Sequence, residues 1–419
     1  MMTDLQVISP GQRSGTITIP SSKSDVQRAI LAAALARGKS VLYNVGTSDD
    51  ERAMVRSVTL LGAEIHHLTQ KELHIAGMKS FPSEVSLHTG ESGLGLRLLS
   101  AVCAAHDGSY RLTGEGSLLQ RPMHFFDEVL PQLGAKFESN HGFLPFSIHG
   151  PMKSSEIEVD GSSSSQYISG LLMALPLIQG NSKITVKNAA STPYIQMTLK
   201  TLADFGIEIR HEGFTTFLIS GGQKYLSTEY TVEGDWSSAS FWLVASALGC
   251  DIAVSGLSMS SYQADKRILD ALISARCKVI NTSDGITIDG NSREAFRFDA
   301  THCPDLFPAL VTFGMFIKGN SVIKGTNRLM NKESNRAEVL VEEFTKLGGR
   351  LEVIGDELHI YGDGSLKGGE VFTHADHRIA MCLAIAGMFT EDLVTIQGAN
   401  AVSKSYPDYW RHFDSLSVK

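Results

Sequence analysis

One unit is written six times along this chain, at a period of about 70 residues, and a repeat of that length limits the possible folds more than any other feature. In each copy a short alternating strand runs into a polar or glycine-rich corner and then into an apolar helix. The strands read TITIP, EVSLH, EIEVD, EYTVE, FRFDA and EVFTH, and the helices open near Ser24, Ser92, Ser165, Ser238, Asp305 and Asp376. These first helices are apolar nearly all round, as in AILAAALA, LRLLSAVCAA and SFWLVASAL, and lack the polar stripe of a surface helix. They are therefore expected at the centre of each half, with strands and a second helix outside. That second helix is amphipathic and also recurs, ending in LLGAEI, QLGAKF, DFGIEI, ARCKVI and KLGGRL. Its closing glycines are Gly62, Gly134, Gly206 and Gly348, with Arg276 at the equivalent place in the fourth copy. Six first helices mean six N-termini whose free backbone N–H groups favour an anion.

The chain's 419 residues exceed what one core usually fills, so the repeats are read as two groups of three. Crossings near Pro20–Ser22 and Glu233–Trp236 give one domain of residues 1–20 plus 235–419 and a second of residues 21–234. The leading strands then belong with the C-terminal half, whose last repeat otherwise lacks a strand. Helix N-termini pointing the same way within each half predict an anion site in a cleft between the halves.

A formal net charge of −8 argues against a nucleic-acid or membrane-surface binder, both of which need net basic faces. No apolar run reaches membrane-spanning length, and the start, MMTDLQVISPGQRSG, has no signal-peptide core. Five cysteines are scattered without CxxC spacing, the pattern of reduced thiols in a cytoplasmic protein.

The chemistry gathers at the corners. PSSKSDVQR places Lys23 and Ser24 at a helix start and Arg28 one turn further in. A lysine there opposes the helix dipole by about 0.3–1 kcal/mol, a cost that an anion would relieve. HTGESGLGLRLL is glycine-rich through Gly90, Gly93 and Gly95 but lacks the lysine and hydroxyl of a P-loop. Arg121 precedes Pro122, which suits the start of a helix, and DGSSSSQYISG brings Ser164, Ser165 and Gln166 to another start. Ser191 adds a polar corner in STPYIQM. In the second half Asp305 stands just before an apolar helix, where a plain N-cap aspartate is the simpler reading. NKESNR sets Lys332 and Arg336 on one helix face beside Glu333, and ADHRIAMC carries Asp376, His377 and Arg378. Lys404 lies in VSKSYPDYW. His374 and His377 lack a third and fourth ligand, so no metal is expected. Taken singly, these residues read as caps, glycine turns or surface charge. Together they put at least seven cations at equivalent corners of a net-negative chain, which points to a small, highly anionic ligand.

With these residues in hand, the chain resembles the 5-enolpyruvylshikimate-3-phosphate synthase family over essentially its whole length. SSKSDVQRAILAAALARG, LTGEGSLLQRPM, GSSSSQYISGLLMALP, STPYIQMTL, EGDWSSASFW, NKESNRAE, ADHRIAMC and SKSYPDYW carry the likeness, in family order. The resemblance implies an α/β fold of two domains, each of three βαβαββ units with buried helices, an inside-out α/β barrel. It implies transfer of the enolpyruvyl group of phosphoenolpyruvate to the 5-hydroxyl of shikimate 3-phosphate, with release of phosphate, on the route to chorismate and aromatic amino acids. Neither metal nor organic cofactor is expected; glyphosate is the expected inhibitor and a cytoplasmic monomer the expected form. Shikimate 3-phosphate would meet Lys23, Ser24, Arg28, Ser164, Ser165, Gln166, Ser191, Asp305 and Lys332. Phosphoenolpyruvate would meet Lys23, Gly93, Arg121, Gln166, Arg336, Arg378 and Lys404. For proton transfer the resemblance implies Asp305 at the hydroxyl and Glu333 at the methylene, or the reverse, with Lys23 a donor to the leaving phosphate.

Some positions depart from the family pattern: Glu91, Ser92, Gly93 and Leu94 stand for Asn-Ala-Gly-Thr or Asn-Ser-Gly-Thr, Asn335 replaces the usual aspartate before Arg336, and Arg328 stands where some members have asparagine. The sister enzyme that acts on UDP-N-acetylglucosamine shares the chemistry, but its common form carries a loop cysteine that GEGSLLQRP lacks. A non-catalytic six-repeat clamp would need a basic inner face, whereas these cations sit among carboxylates and hydroxyls.

Overall fold

The computed structural model describes residues 4–69 and 71–418; the first three residues of the leading sequence lie outside them. The chain folds into two compact units, one holding the segment up to Pro20 together with Gly234 onward, the other Ser21–Glu233.

Among the described residues the helices alternate in kind, as the repeat requires. The first of each pair are α1 (Lys23–Leu35), α3 (Gly93–Ala104), α5 (Ser165–Ala174), α7 (Trp236–Ala247), α9 (Phe307–Met315) and α11 (His377–Gly387). The second are α2 (Asp49–Leu60), α4 (His124–Gln132), α6 (Thr192–Asp204), α8 (Ile268–Ser274), α10 (Arg336–Lys346) and α12 (Tyr409–Ser415). Every residue of α3, α7, α9 and α11 is buried, whereas α2, α4 and α6 bury one face only. Each fully buried Leu, Ile or Phe is worth about 1.5–3 kcal/mol, so these central helices supply most of the hydrophobic stabilisation. Where α3 crosses α5, a Cβ on Gly170 would fall 2.7 Å from the Arg97 carbonyl oxygen, so only glycine allows the approach.

Among the described residues the strands form six small mixed sheets. A representative sheet runs Glu84–His88, Gly108–Thr113, Phe143–Gly150, Lys136–Asn140, its first pair parallel across a helix and its others antiparallel. The first sheet of the 21–233 unit borrows its edge from the far end: Glu229–Thr231 lies parallel to Lys39–Tyr43. Buried Asp25 on α1 fastens this strand, accepting from the Tyr230 hydroxyl at 2.6 Å and the Glu233 N–H at 3.0 Å. In the other unit Arg13–Thr18 pairs parallel with Asp251–Ser255, and Leu5–Ile8 antiparallel with Val394–Gln397.

Several helix starts differ from the sequence reading. At α7 the cap is Asp235, whose carboxylate accepts from the Ser238 N–H at 2.7 Å. Asp305 does not cap α9. It sits inside a 3₁₀ turn, Pro304–Leu306, with α9 starting at Phe307, so its carboxylate is free for other partners. Pro122 lies two residues ahead of α4 rather than at its start; its carbonyl accepts from the Tyr167 hydroxyl at 3.0 Å.

The closing position of the second helices is left-handed in all five copies, with φ of 108°, 82°, 78° and 85° at Gly62, Gly134, Gly206 and Gly348 and 63° at Arg276. Arg276 bears a steric cost there that glycine does not, and its ion pair with Glu294 is exposed. Arg276→Gly is expected to raise stability by up to about 1 kcal/mol in denaturant titration. A loss instead would mean that the ion pair outweighs the strain.

Candidate active site

In the Ser21–Glu233 unit, the starts of α1, α3, α5 and α6 and the link before α4 carry the polar residues. Lys23 opens α1 and pairs with Asp50, in the first turn of α2, at 3.3 Å, so a protein carboxylate already offsets its clash with the helix dipole. The same α2 turn holds Glu51, which accepts from the Ser48 N–H at 2.7 Å and the Ser21 hydroxyl at 3.0 Å.

Arg28 is 1% exposed and its donors run inward, to Thr198 Oγ1 at 2.8 Å, the Ser24 carbonyl at 2.5 Å and Ser169 Oγ at 3.3 Å. Burial pushes its guanidinium down to about 10. Ser164 caps α5 through the Gln166 N–H at 3.2 Å, with buried Ser165 beginning the helix. Ser191, just before α6, is buried and left-handed with φ of 53°, a strained conformation held by its surroundings.

The glycine-rich corner is built around two arginines. Ser92 caps α3 through the Gly95 N–H at 3.1 Å and donates to Gln27 Oε1 at 2.8 Å. Arg97 Nη1 donates to Gln166 Oε1 at 2.7 Å and to the Gly93 carbonyl at 3.2 Å, its guanidinium 4.7 Å above the Tyr167 ring. A Cβ on Gly93 would lie 2.8 Å from Arg121 Nη1 and 2.9 Å from Arg97 Nη1. Gly93, Arg121 and Gln166 are thus brought together, and Arg97, one turn into α3, joins them. The unusual Glu91 accepts from Ser117 Oγ at 3.2 Å and abuts Gly116, so its carboxylate serves the loop that leads to Arg121.

In the other unit the charges converge on Arg336, the first residue of α10. Its Nη1 donates to Asp305 Oδ1 at 2.6 Å and its Nη2 to Glu333 Oε2 at 2.6 Å. Nε and Nη2 also grip the Asp376 carboxylate, at 2.7 and 3.2 Å. Asp305 further accepts from Lys332 Nζ and Arg378 Nη2, both at 3.1 Å. Asp376 in turn caps α11 through the Arg378 N–H at 2.9 Å. Lys404 is buried at the end of a 3₁₀ turn, Ala399–Lys404, that packs on α11. Asp376 is the member that the sequence placed at a helix mouth without giving it a role; its spacing from Arg378 was visible, its grip on Arg336 was not.

Burial raises the Asp305 carboxyl, but Arg378, Lys332 and Arg336 together overcome that and hold it well below the usual carboxylate range. Burial likewise lowers Lys332 against the opposing pull of Asp305. Arg336 and Arg378 are raised despite burial by the carboxylates around them. Burial depresses Arg328, and the Asp305 charge resists. Asp265, fully buried and bonded by the Ser237 hydroxyl, is pushed up to about 6 by burial, with Asp305 adding to the rise.

Glu342, Glu343 and His374 form the one cation-spaced group among the described residues. Lys346 Nζ lies 2.7 Å from Glu343 Oε1 and 2.9 Å from Glu342 Oε1, so an ammonium takes that place.

Among the described residues, six sheets of repeated topology and buried helices with basic and hydroxyl-bearing corners define a mixed α/β protein of repeated units. The profile of the family described as EPSP synthase (3-phosphoshikimate 1-carboxyvinyltransferase) matches residues 8–413. The 3-phosphoshikimate 1-carboxyvinyltransferase of Clostridium botulinum is 36% identical over 418 residues, covering 98% of this chain and 96% of the relative. That of Clostridium perfringens SM101 is 37% identical over 416 residues, covering 98% of each. The solved EPSP synthase of Acinetobacter baumannii superposes with a TM-score of 0.78 at 25% identity, covering 99% of both chains. The chain belongs to the EPSP synthase family. Its activity is that of a 3-phosphoshikimate 1-carboxyvinyltransferase of the shikimate pathway. Among the described residues no helix is long and apolar enough to cross a membrane.

A carboxyl raised on folding makes the folded state bind the extra proton, so Asp265 should cost stability progressively as pH rises from about 4 to about 6. Asp265→Asn should therefore gain stability over the parent across that window and keep the gain above it. Denaturant titrations at pH 4, 5, 6 and 7 check this; a difference independent of pH contradicts it.

Proposed function

We propose that shikimate 3-phosphate is held by Lys23, Ser24, Arg28, Ser164, Ser165, Gln166, Ser191, Asp305 and Lys332, and phosphoenolpyruvate by Lys23, Gly93, Arg121, Gln166, Arg336, Arg378 and Lys404. The two substrates bring roughly five negative charges, counting about −1.5 to −2 per phosphate plus two carboxylates. Lys23, Lys332, Arg336 and Arg378 are each paired with a protein carboxylate, so binding exchanges one anionic partner for another and does not fill vacant charge. Thr198 and Ser169 hold the Nε and Nη2 of Arg28 and so orient its guanidinium, whose Nη1 keeps a hydrogen for shikimate 3-phosphate.

The observation that carries the mechanism is that Asp305 and Glu333 both bond one guanidinium, that of Arg336, each at 2.6 Å. Asp305 removes the 5-hydroxyl proton as the oxygen attacks C2 of phosphoenolpyruvate, and Glu333 delivers a proton to the methylene carbon. A methyl proton of the tetrahedral intermediate then returns to Glu333 as the C–O bond to phosphate breaks, restoring the double bond; Lys23 donates a proton to the departing phosphate, and the proton held by Asp305 makes good that loss. Exchange of the two carboxyl roles gives the same balance. Three cations on Asp305 keep it ionised at neutral pH but weaken it as a base. Drawing Lys332, Arg336 or Arg378 toward substrate anions would restore its basicity when it is needed. Glyphosate, as a phosphonate-bearing dianion, is proposed to compete for the phosphoenolpyruvate cations, and the working form to be a cytoplasmic monomer.

Asp305→Asn tests the assignment. It should keep shikimate 3-phosphate binding within about tenfold and lower turnover, followed as phosphate release, by about 100-fold or more, the low end for lost acid–base catalysis. Near-normal turnover removes Asp305 from the mechanism.

A further inference from the structure

Helix α10 holds the corner between the strand Gly369–Phe372 and α11 at two points, two helical turns apart on one face. At its first residue, Arg336 grips the Asp376 carboxylate. Seven residues on, Glu343, 0% exposed, accepts from the Phe372 N–H at 2.9 Å through one oxygen and bonds His374 Nε2 at 2.6 Å through the other. Between those anchors the chain takes two consecutive left-handed residues that are not glycine, His374 with φ of 51° and Ala375 with φ of 55°. Such backbone persists only where surrounding contacts over-determine it. Ala375 has no polar side chain to contribute; the residues before it are held by Thr373, bonded to Gln397 and Gly398, and by Glu343, whose side chain reaches both Phe372 and His374. The next residue is Asp376, which orients Arg336 and, as cap of α11, the start of the helix carrying Arg378.

We propose that Glu343 is a positioning residue for phosphoenolpyruvate: by pinning the strained His374–Ala375 corner it sets Asp376, and through Asp376 the two arginines. The proposal rests on the assignment of Arg336 and Arg378 to that substrate made above. Glu343 bonds Phe372, His374 and Lys346, none of them assigned to a substrate, so it acts through the corner.

Steady-state kinetics on the full chain tests it. Glu343→Gln keeps the shape but loses the charge and one acceptor. It should raise KM for phosphoenolpyruvate about tenfold, the scale of one lost charge-assisted hydrogen bond, with kcat and KM for shikimate 3-phosphate within about twofold. Ala375→Gly, which adopts the left-handed conformation without strain, should recover most of that loss in the double variant. A purely structural role would lower thermal stability while leaving the two KM values in their parental ratio, and that result overturns the proposal. So does a raised KM that Ala375→Gly fails to rescue. Arg378→Lys separates this failure from that of the underlying assignment. If Arg378→Lys raises KM for phosphoenolpyruvate and Glu343→Gln does not, the positioning role alone falls; if neither does, the assignment of the arginines falls with it.

Discussion

Arg336 is fully buried and donates to three carboxylates, Asp305, Glu333 and Asp376, that come from three separate stretches of chain. Taking one guanidinium out of water costs several kcal/mol, and removing one partner of a buried pair costs about 3–5 kcal/mol. The cluster therefore stands or falls as a unit. Because Arg378 and Lys332 join it through Asp305, each charge in the group is set by the others. A carboxylate that would be neutral in a dry interior is kept ionised, and cations that burial would deprotonate keep their charge.

That arrangement can only exist at the mouth of buried helices. Beyond its first two residues, His377 and Arg378, α11 carries no charged side chain and α9 carries none at all, so the charged groups of these copies gather at the corner and the first turn of the helix. The repeat supplies equivalent corners, and each has been given different chemistry: a lysine at α1, glycines and arginines at α3, hydroxyls at α5, a carboxylate ahead of α9. Where a corner needs close approach to a cation the side chain shrinks, as at Gly93 between Arg97 and Arg121. Of the two departures from the family pattern around that glycine, Glu91 and Leu94, Glu91 is tied to Ser117 in the loop that leads to Arg121.

Much of this was legible in the residues. Apolar helices without a polar stripe predicted their own burial, and the recurring closing glycines marked one equivalent position, which is left-handed in the structure even where Arg276 occupies it. Other features were not legible, because they depend on which distant segments meet. Asp305 reads as an N-cap, yet it sits in a 3₁₀ turn facing Lys332, Arg336 and Arg378, 27, 31 and 73 residues away. Asp376 reads as the cap it is, but its bond to Arg336, 40 residues away, has no local trace.

The sequence by itself determined the repeat, the alternation of buried and amphipathic helices, and the residue types available at each corner, because hydrophobic period and turn chemistry act over a few residues. Only the tertiary structure decided which charges pair and which proton affinities result. Those quantities depend on Coulomb interactions over a few ångströms and on desolvation, and neither is a function of separation along the chain.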